Sequence, residues 1–183
     1  LQDYRLVPAN LKDKVTEKVD WLVKTLVASA IPQSGGWNYS RRAGYKSPKN
    51  SASLFMTAPA LQALFHAKAR GHSVPDEVVE EALGAIERAR TSAGGYAYSS
   101  GKSNLNDKGE DDLRFMDLAP GSAARAAVCE TTMMLAGRGD EARHRKALEL
   151  FFESWDHLAV RKSQRGTHIK PYGIAPYYFM FGH

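Results

Sequence analysis

Apolar residues recur along the chain at the spacing that places them on one face of a helix. From Leu11 they fall at i+4, i+8, i+11, i+12 and i+15, with lysines and acidic residues between them. This pattern predicts an amphipathic helix that ends before Ile31-Pro32. A third helix opening at Ser73 and a fifth over about residues 140–162 show the same one-sided pattern.

Two other segments, at about residues 57–70 and 122–138, are rich in alanine and other small or apolar residues around most of their circumference. A helix of this kind is buried on most sides. Thr57 is predicted to cap the first of them with Pro59 in its first turn, and Ser73 to open the third helix in a capping box. A sixth helix is predicted to begin near Ala175. Amphipathic and buried helices therefore alternate along the chain.

A hexapeptide pattern follows the first and third helices. The two copies are Gly35-Gly36-Trp37-Asn38-Tyr39-Ser40 and Gly94-Gly95-Tyr96-Ala97-Tyr98-Ser99. Paired glycines supply the positive φ needed just past a helix end, and recurrence at this spacing marks a repeat. A second repeated element is an Arg-Gly pair, which precedes the third helix as Arg70-Gly71 and the fifth helix as Arg138-Gly139. The repeat unit is predicted to be an αα-hairpin of about 50 to 68 residues.

These turns, together with inner-helix stretches such as Thr57-Ala58-Pro59-Ala60-Leu61, resemble the prenyltransferase and squalene-hopene (terpene) cyclase repeat family. The resemblance implies an all-α chain of the α/α toroid type, built from αα-hairpins. Residues 1–183 are expected to form a single repeat domain of about three hairpins, which makes a partial or open toroid. Such an arc is expected to be part of a larger protein or to self-associate, because its apolar surface needs covering.

None of the catalytic signatures of related toroids is complete. Class II terpene cyclases use an Asp-x-Asp-Asp motif, and the nearest match, Gly109-Glu110-Asp111-Asp112, lacks the first aspartate. Cys129 lacks the aspartate that accompanies the zinc-binding cysteine of protein prenyltransferases, and the thioester sequence of the complement toroids is missing. No metal site and no cofactor is therefore predicted.

Two sets of residues remain as candidate sites. Four aromatic side chains are predicted either to contact substrate at the mouth of a cavity or to clamp neighbouring hairpins: Trp37, Tyr39, Tyr96 and Tyr98. Tyr172 and Tyr177, in the aromatic run near the end of the sequence, are predicted to point either into a central cavity, where they would contact substrate, or into a core. Arg165 and His168 lie in a basic loop, and Asp111 and Asp112 lie in a polar insert. If the two loops face each other, Asp111, Asp112 and His168 would be acid–base residues and Arg165 would bind substrate; otherwise both are solvated loops.

Composition and charge limit the kinds of partner that are expected for this chain. The 183 residues are 43% hydrophobic and 25% charged, as in soluble globular proteins, and no apolar run approaches a membrane span. The net charge of +5 is scattered, so nucleic-acid binding is not expected. The chain opens on Leu1, which leaves open a cytoplasmic protein or one exported after loss of a signal.

Two functions fit this pattern. The favoured one is a repeat module without catalytic activity that binds a small molecule or a protein, because every catalytic signature is incomplete. The alternative is an enzyme of the α/α-toroid type that acts on an isoprenoid or a glycan by acid–base chemistry.

Overall fold

The computed structural model describes residues 6–32, 34–38, 51–92, 94–98 and 119–155. Within these ranges the secondary structure consists of α-helices, with no strand. The helices are α1 (Lys12–Ala28), α2 (Leu54–Ala69), α3 (Asp76–Arg88), α4 (Ala119–Leu135) and α5 (Glu141–Glu153), and a 3-10 turn at Ala9–Leu11 precedes them. None of these helices is both long enough and apolar enough to cross a membrane. The expectation of an all-α chain is confirmed for this part of the molecule.

Burial alternates along the helices in the predicted order. Amphipathic α1 buries only Val23, and α3 buries a single stripe that includes Leu83 and Ile86. In α4, by contrast, every residue from 122 to 130 is buried.

The start of α2, from Leu54 to Ala58, is similarly enclosed. Its middle buries only a stripe that includes Leu61 and Leu64, and Ala63 and His66 are exposed. The prediction that α2 is covered on most sides is therefore confirmed only for its first turns. Small and apolar side chains around the circumference are what allow α4 and the start of α2 to be covered on several sides.

The two buried helices lie next to each other, and the amphipathic helices pack onto them. Helix α2 contacts α1, α3 and α4, while α5 packs against α4. The main core cluster includes Leu54 and Leu61 of α2, Ile86 of α3 and Met133 of α4. A smaller cluster joins α2, α4 and α5 through Phe55, Ala124, Ala127 and Phe151. Helix α2 is therefore the central element of the described fold.

Helix α2 begins three residues before the predicted start, so the assignment of Thr57 as its cap is wrong. Ser53 occupies the N-cap position, and its backbone N–H donates to the Trp37 carbonyl at 2.8 Å. Thr57 is fully buried, and its hydroxyl accepts from the Trp37 N–H at 3.0 Å. Pro59 consequently lies inside the helix instead of in its first turn. A contact with the preceding turn thus sets where α2 starts.

The capping box predicted at Ser73 is also wrong, whereas the start of the fifth helix agrees with the prediction. Pro75 is the N-cap of α3 and no side chain caps that end. At α5, the carboxylate of Asp140 accepts from the backbone N–H of Arg143 at 2.8 Å, which satisfies one of the free donors of the first turn.

Both buried helices end in the same Schellman motif. The glycine after each helix has positive φ, 86° for Gly71 and 70° for Gly137. The glycine N–H bonds the carbonyl three residues back at 3.0 Å in both cases, and the next N–H bonds the carbonyl five residues back, at 3.1 Å from His72 and 2.9 Å from Arg138. The structural counterpart of Gly71 is therefore Gly137, and the predicted pairing with Gly139 is wrong.

Two glycine turns follow α1 and α3, which we call the first glycine turn (residues 34–38) and the second glycine turn (residues 94–98). The first is closed by the Ile31 N–H to the Gly36 carbonyl at 2.9 Å, and the second by the Thr91 N–H to the Gly95 carbonyl at 3.0 Å. Positive φ occurs at both glycines of the first turn but only at Gly94 in the second. The turns close alike, although their backbone paths differ in detail.

Each glycine turn lies against the next amphipathic helix. A Cβ at Gly35 would fall 2.2 Å from the backbone oxygen of Glu81 in α3. A Cβ at Gly94 would lie 3.8 Å from the ammonium nitrogen of Lys146 in α5, an ordinary contact. Only the first turn is therefore packed so tightly that no side chain fits.

We predict that Gly35→Ala destabilises the fold much more than Gly71→Ala. Both positions have positive φ, which costs an L-residue about 1 to 2 kcal/mol. Only Gly35 adds a clash with Glu81, and overpacking of this kind costs about 1 to 3 kcal/mol more. A Cβ added at Gly71 would meet no atom within 4 Å, which makes that position the matched control. Equal losses of unfolding free energy in urea would contradict the close approach.

Candidate functional site

Trp37, the aromatic residue of the first glycine turn, joins α1 to α2. Its indole N–H donates to the Leu26 carbonyl at 2.8 Å, within the last turn of α1, and the same carbonyl also accepts from the backbone N–H and the hydroxyl of Ser29. Its backbone is bonded to Thr57 of α2. The side chain is buried. Trp37 thus connects the end of α1 to the first turn of α2.

Tyr96 holds the corresponding place in the second glycine turn but makes a different connection. Its ring is fully buried, and its hydroxyl donates to Oε1 of Glu130 in α4 at 2.7 Å. The turn is anchored to the end of α3 by an antiparallel bridge between Arg90 and Tyr96. The second turn is therefore attached to a buried carboxylate instead of a helix end.

Glu130 is the centre of a cluster of charged and polar side chains. Its carboxylate is only 4% exposed, and Oε1 also lies 3.3 Å from Nε of Arg90 and 3.6 Å from Nε of Arg143. Arg90 follows α3, and Arg143 is in the first turn of α5. With Arg125 and Tyr96, these residues make up what we call the Glu130 cluster: Arg90, Tyr96, Arg125, Glu130 and Arg143. One carboxylate oxygen thus connects three helices and a turn.

Arg125 supports the second glycine turn from the other side. This arginine is buried, and its Nη2 donates to the Tyr96 carbonyl at 3.0 Å. Its guanidinium carbon lies 5.5 Å from the ring centroid of Tyr98, and that of Arg90 lies 5.7 Å from the ring of Tyr96. Both distances are within the range of cation–π attraction. Each tyrosine of this turn is therefore paired with an arginine.

Two buried polar atoms of the Glu130 cluster have unused hydrogen-bonding capacity. Oε2 of Glu130 and Nη2 of Arg90 have no hydrogen-bond partner among the described residues. A buried polar atom without a partner costs about 1 to 3 kcal/mol. One of these atoms accepts and the other donates, and they belong to residues that are already in contact. The cluster is therefore the main concentration of buried polar groups to be assessed for a functional role in the described part of the chain.

Two groups near Glu130 that carry a nucleophilic atom, the Tyr96 phenol and the Cys129 thiol, are held in their protonated forms. Burial raises the pKa of the Tyr96 phenol, and the neighbouring Cys129 and Glu130 raise it further. Burial likewise raises the pKa of the Cys129 thiol, although Arg125 opposes the shift. Nucleophilic catalysis requires the opposite, a lowered pKa or an adjacent base. The cluster is suited to hydrogen bonding and charge pairing.

A second polar pair links α1 to the end of α2. Nδ1 of His72, a buried residue, lies 2.7 Å from Oδ1 of Asp20. In the described ranges, no three residues among histidine, cysteine, aspartate and glutamate are grouped so that they could hold a metal ion. The pair joins α1 to the segment that follows α2.

The structure describes three of the residues predicted from sequence to form a site. Trp37 and Tyr96 are buried, and Tyr98 is half-buried. The others lie outside the described residues, so their roles stay predictions: Tyr39, Asp111, Asp112, Arg165, His168, Tyr172 and Tyr177.

Sequence reasoning missed the role of Glu130 and of the arginines around it. The available signal was the presence of Arg125 and Glu130 in a helix otherwise made of small and apolar residues. Charged residues are almost never fully buried unless they are paired, so a charge in a buried helix indicates a partner elsewhere in the chain.

Searches against protein-family models, curated proteins and solved structures found no match to the chain. The family resemblance therefore remains an expectation from the sequence.

We predict strong coupling between Tyr96 and Glu130. Tyr96→Phe removes a hydrogen bond to a charged group, worth about 1.5 to 3 kcal/mol, and Glu130→Gln removes the charge that Arg90 and Arg143 face. Because both changes act on one carboxylate, the double variant should lose less than the sum of the single losses, by about 0.5 to 3 kcal/mol. Urea unfolding measures this, with exposed Glu149→Gln as the control within about 0.5 kcal/mol of wild type. Additive losses would contradict the shared contact.

We also predict that Tyr96 makes the fold sensitive to alkali. Its raised folded-state pKa means that its contribution to stability is complete below the unfolded value of about 10 and declines as pH rises above it. Each such group accounts for about 1.4 kcal/mol per pH unit in that range. Tyr96→Phe should therefore lose less stability than wild type between about pH 9 and about pH 11. The same decline in both proteins, followed by urea midpoints, would show that Tyr96 titrates normally.

Proposed function

We propose that this chain is a non-catalytic repeat module of the α/α-toroid type, similar to the prenyltransferase and terpene cyclase repeats, and that it binds a small-molecule or protein ligand. Helices α2 and α3, which pack against each other, would form one hairpin, α4 and α5 would form the next, and α1 would belong to the hairpin before them. This arrangement would make an open or partial toroid.

The matching helix ends support the repeat. Both amphipathic helices α1 and α3 lead into a glycine turn closed by a backbone hydrogen bond, and both buried helices α2 and α4 end in a Schellman motif. The buried helices lie side by side, which is the order expected of inner helices in a toroid. Local geometry and packing thus favour the same hairpin unit.

The contacts of the Glu130 cluster are the main support for a protein without catalytic activity. Glu130 accepts a hydrogen bond from Tyr96 and faces two arginines, so its carboxylate is engaged in contacts within the protein. Tyr96 and Cys129 are both kept protonated by burial. The strongest concentration of titratable groups in the described residues is therefore used to hold helices together.

Tyr98 is the best candidate for ligand contact among the described aromatic residues. It is half-buried at the edge of the Glu130 cluster, and the guanidinium of Arg125 lies 5.5 Å from its ring. A partly buried aromatic ring suits a ligand with an apolar chain. An isoprenoid has such a chain and is the ligand class that the family resemblance implies.

We predict that the protein binds farnesyl diphosphate without converting it, and that Tyr98→Ala weakens binding about tenfold or more, equivalent to about 1.4 kcal/mol. Tyr98→Phe keeps the ring and should bind like wild type. Calorimetry measures affinity, and chromatography of the recovered ligand measures conversion.

Two further variants separate this proposal from the enzymatic alternative. Asp112→Asn and His168→Ala should bind the ligand as tightly as wild type does. The ligand should again be recovered unconverted. If the wild-type protein forms a product and either variant abolishes that conversion, the protein is an acid–base enzyme and the proposal is wrong. No binding to the wild-type protein would contradict the isoprenoid ligand.

A further inference from the structure

We draw no further inference here: the strongest candidate, the two buried polar atoms of the Glu130 cluster that lack a partner among the described residues, which are Oε2 of Glu130 and Nη2 of Arg90, belongs to the site already described, and nothing in the described part of the chain shows what would bind there.

Discussion

The buried carboxylate of Glu130 is the group on which the arrangement of α3, α4 and α5 depends. Removing a carboxylate from water costs several kcal/mol, and that cost is offset only if partners are held in place. The partners come from the end of α3, from the second glycine turn and from the first turn of α5. A shift of any of these elements would leave a buried charge without its partners, so the cluster restricts them to one arrangement.

The first glycine turn is fixed by a different constraint, which is steric. Gly35 lies so close to the backbone of α3 that a single methyl group is excluded, and Trp37 bonds both the end of α1 and the start of α2. Similar sequences in the two turns therefore stabilise the chain by unlike means. The glycines are common to both turns, but the aromatic residue that follows them makes different contacts. Trp37 bonds the end of a helix, whereas Tyr96 bonds a buried carboxylate.

Burial of the Glu130 cluster has a second consequence, for the reactivity of the groups in and beside it. Burial strengthens the Glu130 cluster and at the same time keeps its phenol, and the thiol beside it, protonated. Among the described residues, large apolar side chains are exposed on α1, at the end of α4 and on α5, away from these buried charges.

The sequence by itself determined the helical class, the alternation of amphipathic and buried helices and the approximate ends of α1 and α3, because helical periodicity is a local property. Only the tertiary structure decided that α2 begins at Leu54, since a bond between Ser53 and Trp37 sets that start. It likewise decided that Gly137 ends α4 and that Glu130 faces Arg90, forty residues away. A charged residue in a buried helix signals that a partner exists, but only packing brings that partner into contact, because the choice depends on the whole path of the chain.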